Sequence, residues 1–239
     1  MSYNRFDAVQ SGAQGRAIDP GLQAFMRNVY NTMGVGLVLT GVTAYALSQI
    51  DGIRETLYTS GLFYVAAFAP LVFLLFGFTH NRIVRMSASQ LLLMFSAFAV
   101  TMGVSMGSIF LVYSTADIAR AFFVTAGTFA GMSLYGYTTK RDLSAFRSFL
   151  FMGLLGVFIA SIVNIFLGSG LMQFVISCAG VLVFTGLTAW ETQNLRQTYA
   201  ETNGHEANSK MAVMGALGLY LNFVNLFQMI LHLMGGNRE

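Results

Sequence analysis

Long apolar stretches separated by short polar ones set the organisation of this chain. After a polar opening, seven apolar runs follow: Val29 to Leu47, Leu57 to Phe78, Ala88 to Val112, Ile118 to about Tyr137, Phe149 to Leu167, Leu171 to about Leu195, and Met211 to Met234. Each approaches the roughly 20 residues a helix needs to cross the hydrocarbon core of a bilayer. Charges and turn formers mark the breaks, as in Asp51-Gly52-Ile53-Arg54-Glu55, His80 to Arg85, Lys140 to Ser144 and Gly168-Ser169-Gly170. The pattern predicts an all-α polytopic membrane protein, a seven-transmembrane-helix bundle over residues 23–236, behind a disordered tail of residues 1–22. Helix is expected from about Gln23, Asp117 is read as the N-cap of the fourth helix, and Thr198 to Ser209 is read as a solvated loop. The Gly168–Gly170 turn is so short that the fifth and sixth helices must lie side by side and antiparallel.

The seventh run differs from the others. On a helix of about 3.6 residues per turn, Asn222, Asn225, Gln228 and His232 fall on one face, with Gly215 and Gly218 near its end. A lipid-facing helix would not carry such a seam, so the seventh helix is expected at the centre of the bundle. On the sixth run Ser177, Gly180, Thr188 and Glu191 share a face, and the economical arrangement sets that face against the seam.

Composition sharpens this picture. The chain is 55% hydrophobic and only 10% charged, against roughly 25% charged in soluble domains. The formal charge of +3 is too small, and too confined to loops, to indicate a nucleic-acid partner. Cys178 is the only cysteine and sits inside an apolar run, which makes it a packing residue. No apolar signal segment precedes the first run, so that run is expected to direct its own insertion. Alternating the sides of the membrane places Arg5, Arg16, Arg27, Arg82, Arg85, Lys140, Arg141, Arg147, Arg196 and Lys210 on one side, and Arg54, Arg120 and Arg238 on the other. By the positive-inside rule the N-terminus is then cytoplasmic and the C-terminus outside.

Candidate chemistry centres on Glu191. A carboxyl this deep in apolar sequence is costly unless it faces a cavity, a partner or a proton. No Lys or Arg lies deep in any run, so Glu191 is expected to be protonated, hydrated or bound to a cation, and proton and cation would compete for it. Thr188, Ser177, Asn225, Gln228 and His232 are the expected pore or polar-seam residues. Enzyme motifs are not found. His205-Glu206-Ala207-Asn208-Ser209 lacks the second histidine of a zinc-protease helix, and Gly131 to Gly136 lacks the serine-to-glycine spacing of a nucleophile elbow. No enzyme and no bound cofactor are expected, with calcium entering only as a transported ion.

Several segments together resemble the Bax inhibitor-1 family, the transmembrane Bax-inhibitor-motif proteins, and in particular its bacterial branch. They are Arg85-Met86-Ser87, Ser133 to Ser144, Ser161-Ile162-Val163-Asn164-Ile165-Phe166, Thr188 to Gln193 and Ala216 to Phe227. The resemblance implies a seven-helix fold with a central last helix, a bacterial inner membrane and, for some members, a pH-sensitive calcium leak. It further implies a sensor made of two aspartates, one on helix six and one on helix seven. This chain has Glu191 at the first position and Asn222 at the second. Glu191 and Asn222 are therefore the expected ion- and pH-sensing pair and a weak calcium site, since affinity follows the number of charged ligands. The expected function is a pH-sensitive cation leak gated by protonation of Glu191. The alternative is a non-conducting regulatory protein that binds a membrane protease or quality-control complex.

Overall fold

The computed structural model describes residues 19–52, 56 and 60–235. Most of the expected tail, Ile53 to Glu55 of the first turn, the expected second-run start at Leu57, and Arg238 lie outside them. Seven long helices are described: α1 (Pro20–Gln49), α2 (Leu62–Gly77), α3 (Ala88–Met106), α4 (Thr115–Thr138), α5 (Arg147–Leu167), α6 (Gly170–Thr198) and α7 (His205–Gly235), with short helices at His80–Arg85 and Ile109–Val112. Four segments, Ala88–Val112, Ser144–Leu167, Gly170–Thr198 and His205–Gly235, are each long and apolar enough to cross a membrane by length and composition. The protein is an all-α polytopic membrane protein.

Helix starts follow local capping chemistry. Asp19 Oδ1 accepts from the Gly21 amide at 2.8 Å with Pro20 in the first turn, so α1 begins three residues before the expected Gln23. At α3, Ser87 Oγ accepts from the Gln90 amide at 3.3 Å and Gln90 Oε1 accepts from the Ser87 amide at 2.9 Å, a reciprocal capping box. The fourth helix is capped by Ser114, whose Oγ accepts from the Asp117 amide at 3.2 Å, rather than by Asp117, which lies inside the first turn. Between α5 and α6, Gly168 adopts the left-handed conformation (φ 61°) that ends α5, and Ser169 caps α6. The stretch read as a solvated loop from Thr198 to Ser209 is largely helical, because α7 starts at His205. There Glu206 Oε1 accepts from the Ala88 amide at 2.8 Å and closes the N-terminus of α3.

The seventh helix is the core of the bundle. It packs against α1, α3, α4 and α6, whereas the principal long-helix neighbour of α5 is α6 and that of α2 is α3. Its most apolar 18-residue window is 67% buried, against 17% for the window of α5, whose Phe149, Met152, Ile159 and Phe166 face outward. Tyr220 stands at the middle of this core, edge-on to Phe95 and Phe98 at 5.4 and 6.0 Å between ring centroids. Its hydroxyl meets Thr40 Oγ1 at 2.6 Å, and Thr40 Oγ1 lies 2.9 Å from both the Gly36 and Ala99 carbonyl oxygens. Three helices are thereby tied at one buried point. At Gly136 α4 comes close enough to α6 that a Cβ would run into the backbone of Ala189.

Candidate functional site

The α6–α7 hairpin sets the depth of each polar side chain. Leu195 packs on Gly215, the Glu191 carboxyl lies over Gly218, and Met229 lies over Gly180. Glu191 is seven residues before Thr198, the last residue of α6, or about 10 Å along the axis. Its neighbour Trp190 contacts Phe151 with ring centroids 5.8 Å apart and holds the Arg147 guanidinium 5.5 Å from its ring. An aromatic ring beside a cation is the composition of a bilayer interface. Glu191 therefore sits just inside the apolar slab, near the end of the bundle that carries Arg27, Arg82, Arg85, Lys140, Arg141, Arg147, Arg196 and Lys210.

At this depth Asn222 Nδ2 donates to Glu191 Oε2 at 2.9 Å. Gly218 makes the contact feasible, since a Cβ there would collide with the carboxyl. Asn222 is buried and Glu191 half-buried. Among the described residues no cation pairs with Glu191, and no cluster of three or more His, Cys, Asp or Glu side chains forms a metal cage. A primary amide suits either protonation state of its partner. Its NH2 donates to a carboxylate, and after a half-turn about χ2 its carbonyl accepts from a carboxylic acid. The pair can thus hold or release one proton while remaining hydrogen-bonded.

The expected seam is divided. Asn225 Nδ2 turns back to its own helix and donates to the Leu221 carbonyl at 2.8 Å, and Thr188 Oγ1 likewise donates to the Phe184 carbonyl at 2.8 Å. His232 and Ser177 belong to a second cluster near the opposite end. Gln173 Nε2 lies 3.3 Å from His232 Nδ1 and 3.5 Å from Ser177 Oγ, while Gln173 Oε1 accepts from Asn164 Nδ2 at 3.2 Å. Gln228 and His232 also line a cavity of about 210 Å³ with Ser105, Ser108 and Tyr113. Asn222 and His232 are ten residues apart, about 15 Å along α7, and the Gly180–Met229 contact fills the interval between α6 and α7. Glu191 and Asn222 are brought together, His232 and Ser177 are joined through Gln173, and Asn225 and Thr188 satisfy themselves locally.

Three further polar features tie the helices together. Tyr30 OH meets Ser133 Oγ at 2.6 Å, which meets Thr192 Oγ1 at 3.0 Å, a hydroxyl chain across α1, α4 and α6. Gln193 is buried and spans the loop between α4 and α5. Its Oε1 accepts from the Leu143 amide and its Nε2 donates to the Arg141 carbonyl, both at 2.8 Å. Gln173 is the hub of the second cluster. Hydropathy could signal Gln173 and Gln193 only as polar residues inside or beside a span. Tyr30 resembled any interfacial aromatic.

Comparison with known proteins agrees with this architecture. The family model described as inhibitor of apoptosis-promoting Bax1 matches residues 22–239. The chain is 44% identical over 234 residues to an uncharacterised protein of Caulobacter vibrioides, covering 93% of this chain and 92% of that protein. It is 40% identical over 237 residues to the inner membrane protein YbhL of Escherichia coli strain K12, covering 98% of this chain and all of that protein (100%). An uncharacterised protein of Rickettsia prowazekii is 37% identical, with 95% of each chain covered.

Proposed function

The chain belongs to the Bax inhibitor-1 family, and on that premise we propose that it is a cation leak protein whose proton- and ion-sensing group is Glu191, held by Asn222 between α6 and α7. The observation that carries this reading is the 2.9 Å amide–carboxyl contact at the rim of the apolar slab, with no neighbouring cation among the described residues. A carboxyl kept there without a counter-charge is costly unless it exchanges protons or cations. One carboxylate and one amide oxygen supply a single negative charge, so calcium is held weakly and leaves readily, as conduction requires. A proton on Glu191 removes that charge. Occupancy by calcium, and with it the leak, then falls as pH falls. In the conformation described, Met229 against Gly180 separates this site from the Gln173–His232 cluster, and flux requires α6 and α7 to part there.

The eight described cations at the Glu191 end, against Arg120 at the other, support a cytoplasmic face at that end. The relative named as an inner membrane protein supports a bacterial inner membrane. The test is calcium flux in proteoliposomes across about pH 5 to 8. Wild type should leak with a pH dependence that Glu191→Gln abolishes and Asn222→Asp strengthens. If all three are silent or indistinguishable, the leak reading fails, and co-purification with a membrane protease would favour a non-conducting regulatory role.

A further inference from the structure

Beyond the Glu191 site, the loop joining α4 to α5 forms a polar pocket with the last turn of α6. Lys140, Arg141 and Arg196 line it, with Asp142, Gln193 and Gln197. Two features separate this pocket from an ordinary cationic loop. The first is that it is held in shape. Gln193, only 4% exposed, fixes the loop backbone at Arg141 and Leu143, and Arg196 is anchored by donating to the Tyr137 carbonyl at 2.6 Å with its guanidinium 5.6 Å from the Tyr137 ring. The second is an excess of positive charge, three cations against one carboxylate. Asp142, the one carboxylate in the lining, accepts from the Ser144 amide at 2.9 Å, and among the described residues the Lys140 and Arg141 side chains have no acidic partner.

The depth of the pocket indicates its occupant. Trp190 lies one turn before Gln193 on the same face of α6, beside Arg147, which places the pocket at headgroup level and the exposed apolar residues of α5 below it. We propose that this pocket binds the phosphodiester of an anionic phospholipid, with Lys140, Arg141 and Arg196 on the phosphate oxygens and the acyl chains running down the outer face of α5 and α6. A soluble phosphate would present the same oxygens without the chains, and a cationic loop that serves only to orient the protein would select neither.

Trp190 is the only tryptophan in the chain and reports on this place directly. Full-length protein is reconstituted into phosphatidylcholine vesicles holding a fixed fraction of either chain-brominated phosphatidylglycerol or chain-brominated phosphatidylcholine, and quenching of Trp190 is recorded. Brominated phosphatidylglycerol should quench more strongly at equal fraction. In Lys140→Gln/Arg141→Gln the preference should drop about 25-fold, on the basis of roughly fivefold for each cation near the surface. Arg82→Gln, on the short helix His80–Arg85 at the same end, should leave it unchanged. Equal quenching by the two lipids, or loss of the preference in Arg82→Gln as much as in the double variant, would overturn the proposal. Loss of the preference on adding millimolar glycerol 3-phosphate would overturn the lipid assignment in favour of a soluble phosphate. Circular dichroism and gel filtration of the double variant establish that it is folded, as expected for two exposed side chains.

Discussion

Replacing Gly136 with alanine tests the packing that holds Glu191 in place. A Cβ at Gly136 would lie 2.9 Å from the carbonyl carbon and Cα of Ala189 and nearer still to the carbonyl oxygen, and those are backbone atoms of α6 that no rotamer change can move. Ordinary contact begins at 3.4 Å, so α4 and α6 must separate by at least 0.5 Å at this point. Over-packing of this kind costs about 1–3 kcal/mol. Gly131, on the same helix, is the control, because nothing lies within 4 Å of a Cβ placed there. Gly131→Ala should be neutral or stabilise by about 0.5–1 kcal/mol through helix propensity alone. Reversible unfolding of the two variants in mixed micelles with increasing SDS gives the comparison. Since Ala189 is two residues from Glu191, Gly136→Ala should also disturb the pH response of calcium flux, whereas Gly131→Ala should not. Equal stabilities for the two alanine variants would refute the close α4–α6 approach.

Other expectations follow from single contacts. Tyr220→Phe removes the hydroxyl that meets Thr40 at 2.6 Å and should cost about 1 kcal/mol in the same unfolding assay. Tyr30→Phe and Ser133→Ala should be non-additive in a double-mutant cycle, with a coupling of about 0.5–1.5 kcal/mol, because the two hydroxyls share one chain that ends at Thr192. The Asp142 carboxyl is held below the usual carboxylate range by the amide and hydroxyl of Ser144. Its folded value is the lower one, so its contribution to loop order is complete at neutral pH and disappears as pH falls through that depressed value. Hydrogen exchange of residues 142–146 should accordingly stay level from about pH 8 to 5, once corrected for intrinsic rates, and rise at more acid pH, whereas Asp142→Asn should exchange faster at neutral pH and show no such acid rise.

The architecture was legible because a membrane imposes it: seven apolar runs became seven long helices, and the polar face of the last run marked it as the central one. Ends were less legible. The Asp19-Pro20 pair is a sequence-level cap signal that outweighed the polar look of the residues before Gln23. The first turns of α7 are polar in sequence and are stabilised by contact with α3, which hydropathy cannot register. At the site, the pairing of Glu191 with Asn222 followed from helical spacing together with the family resemblance. The partnership of His232 with Gln173 and the return of Asn225 to Leu221 depend on side-chain torsions, and spacing gives only the face from which a side chain starts.

A central α7 also has a consequence for how the protein is made. It is the last of the seven helices to be synthesised, yet it contacts α1, α3, α4 and α6, all of which enter the bilayer before it. Until it arrives, the bundle has a vacant middle. Thr40 lacks Tyr220, Glu191 lacks Asn222, and the N-terminus of α3 lacks Glu206. The contacts that close the middle of the bundle therefore cannot form before α7 is made.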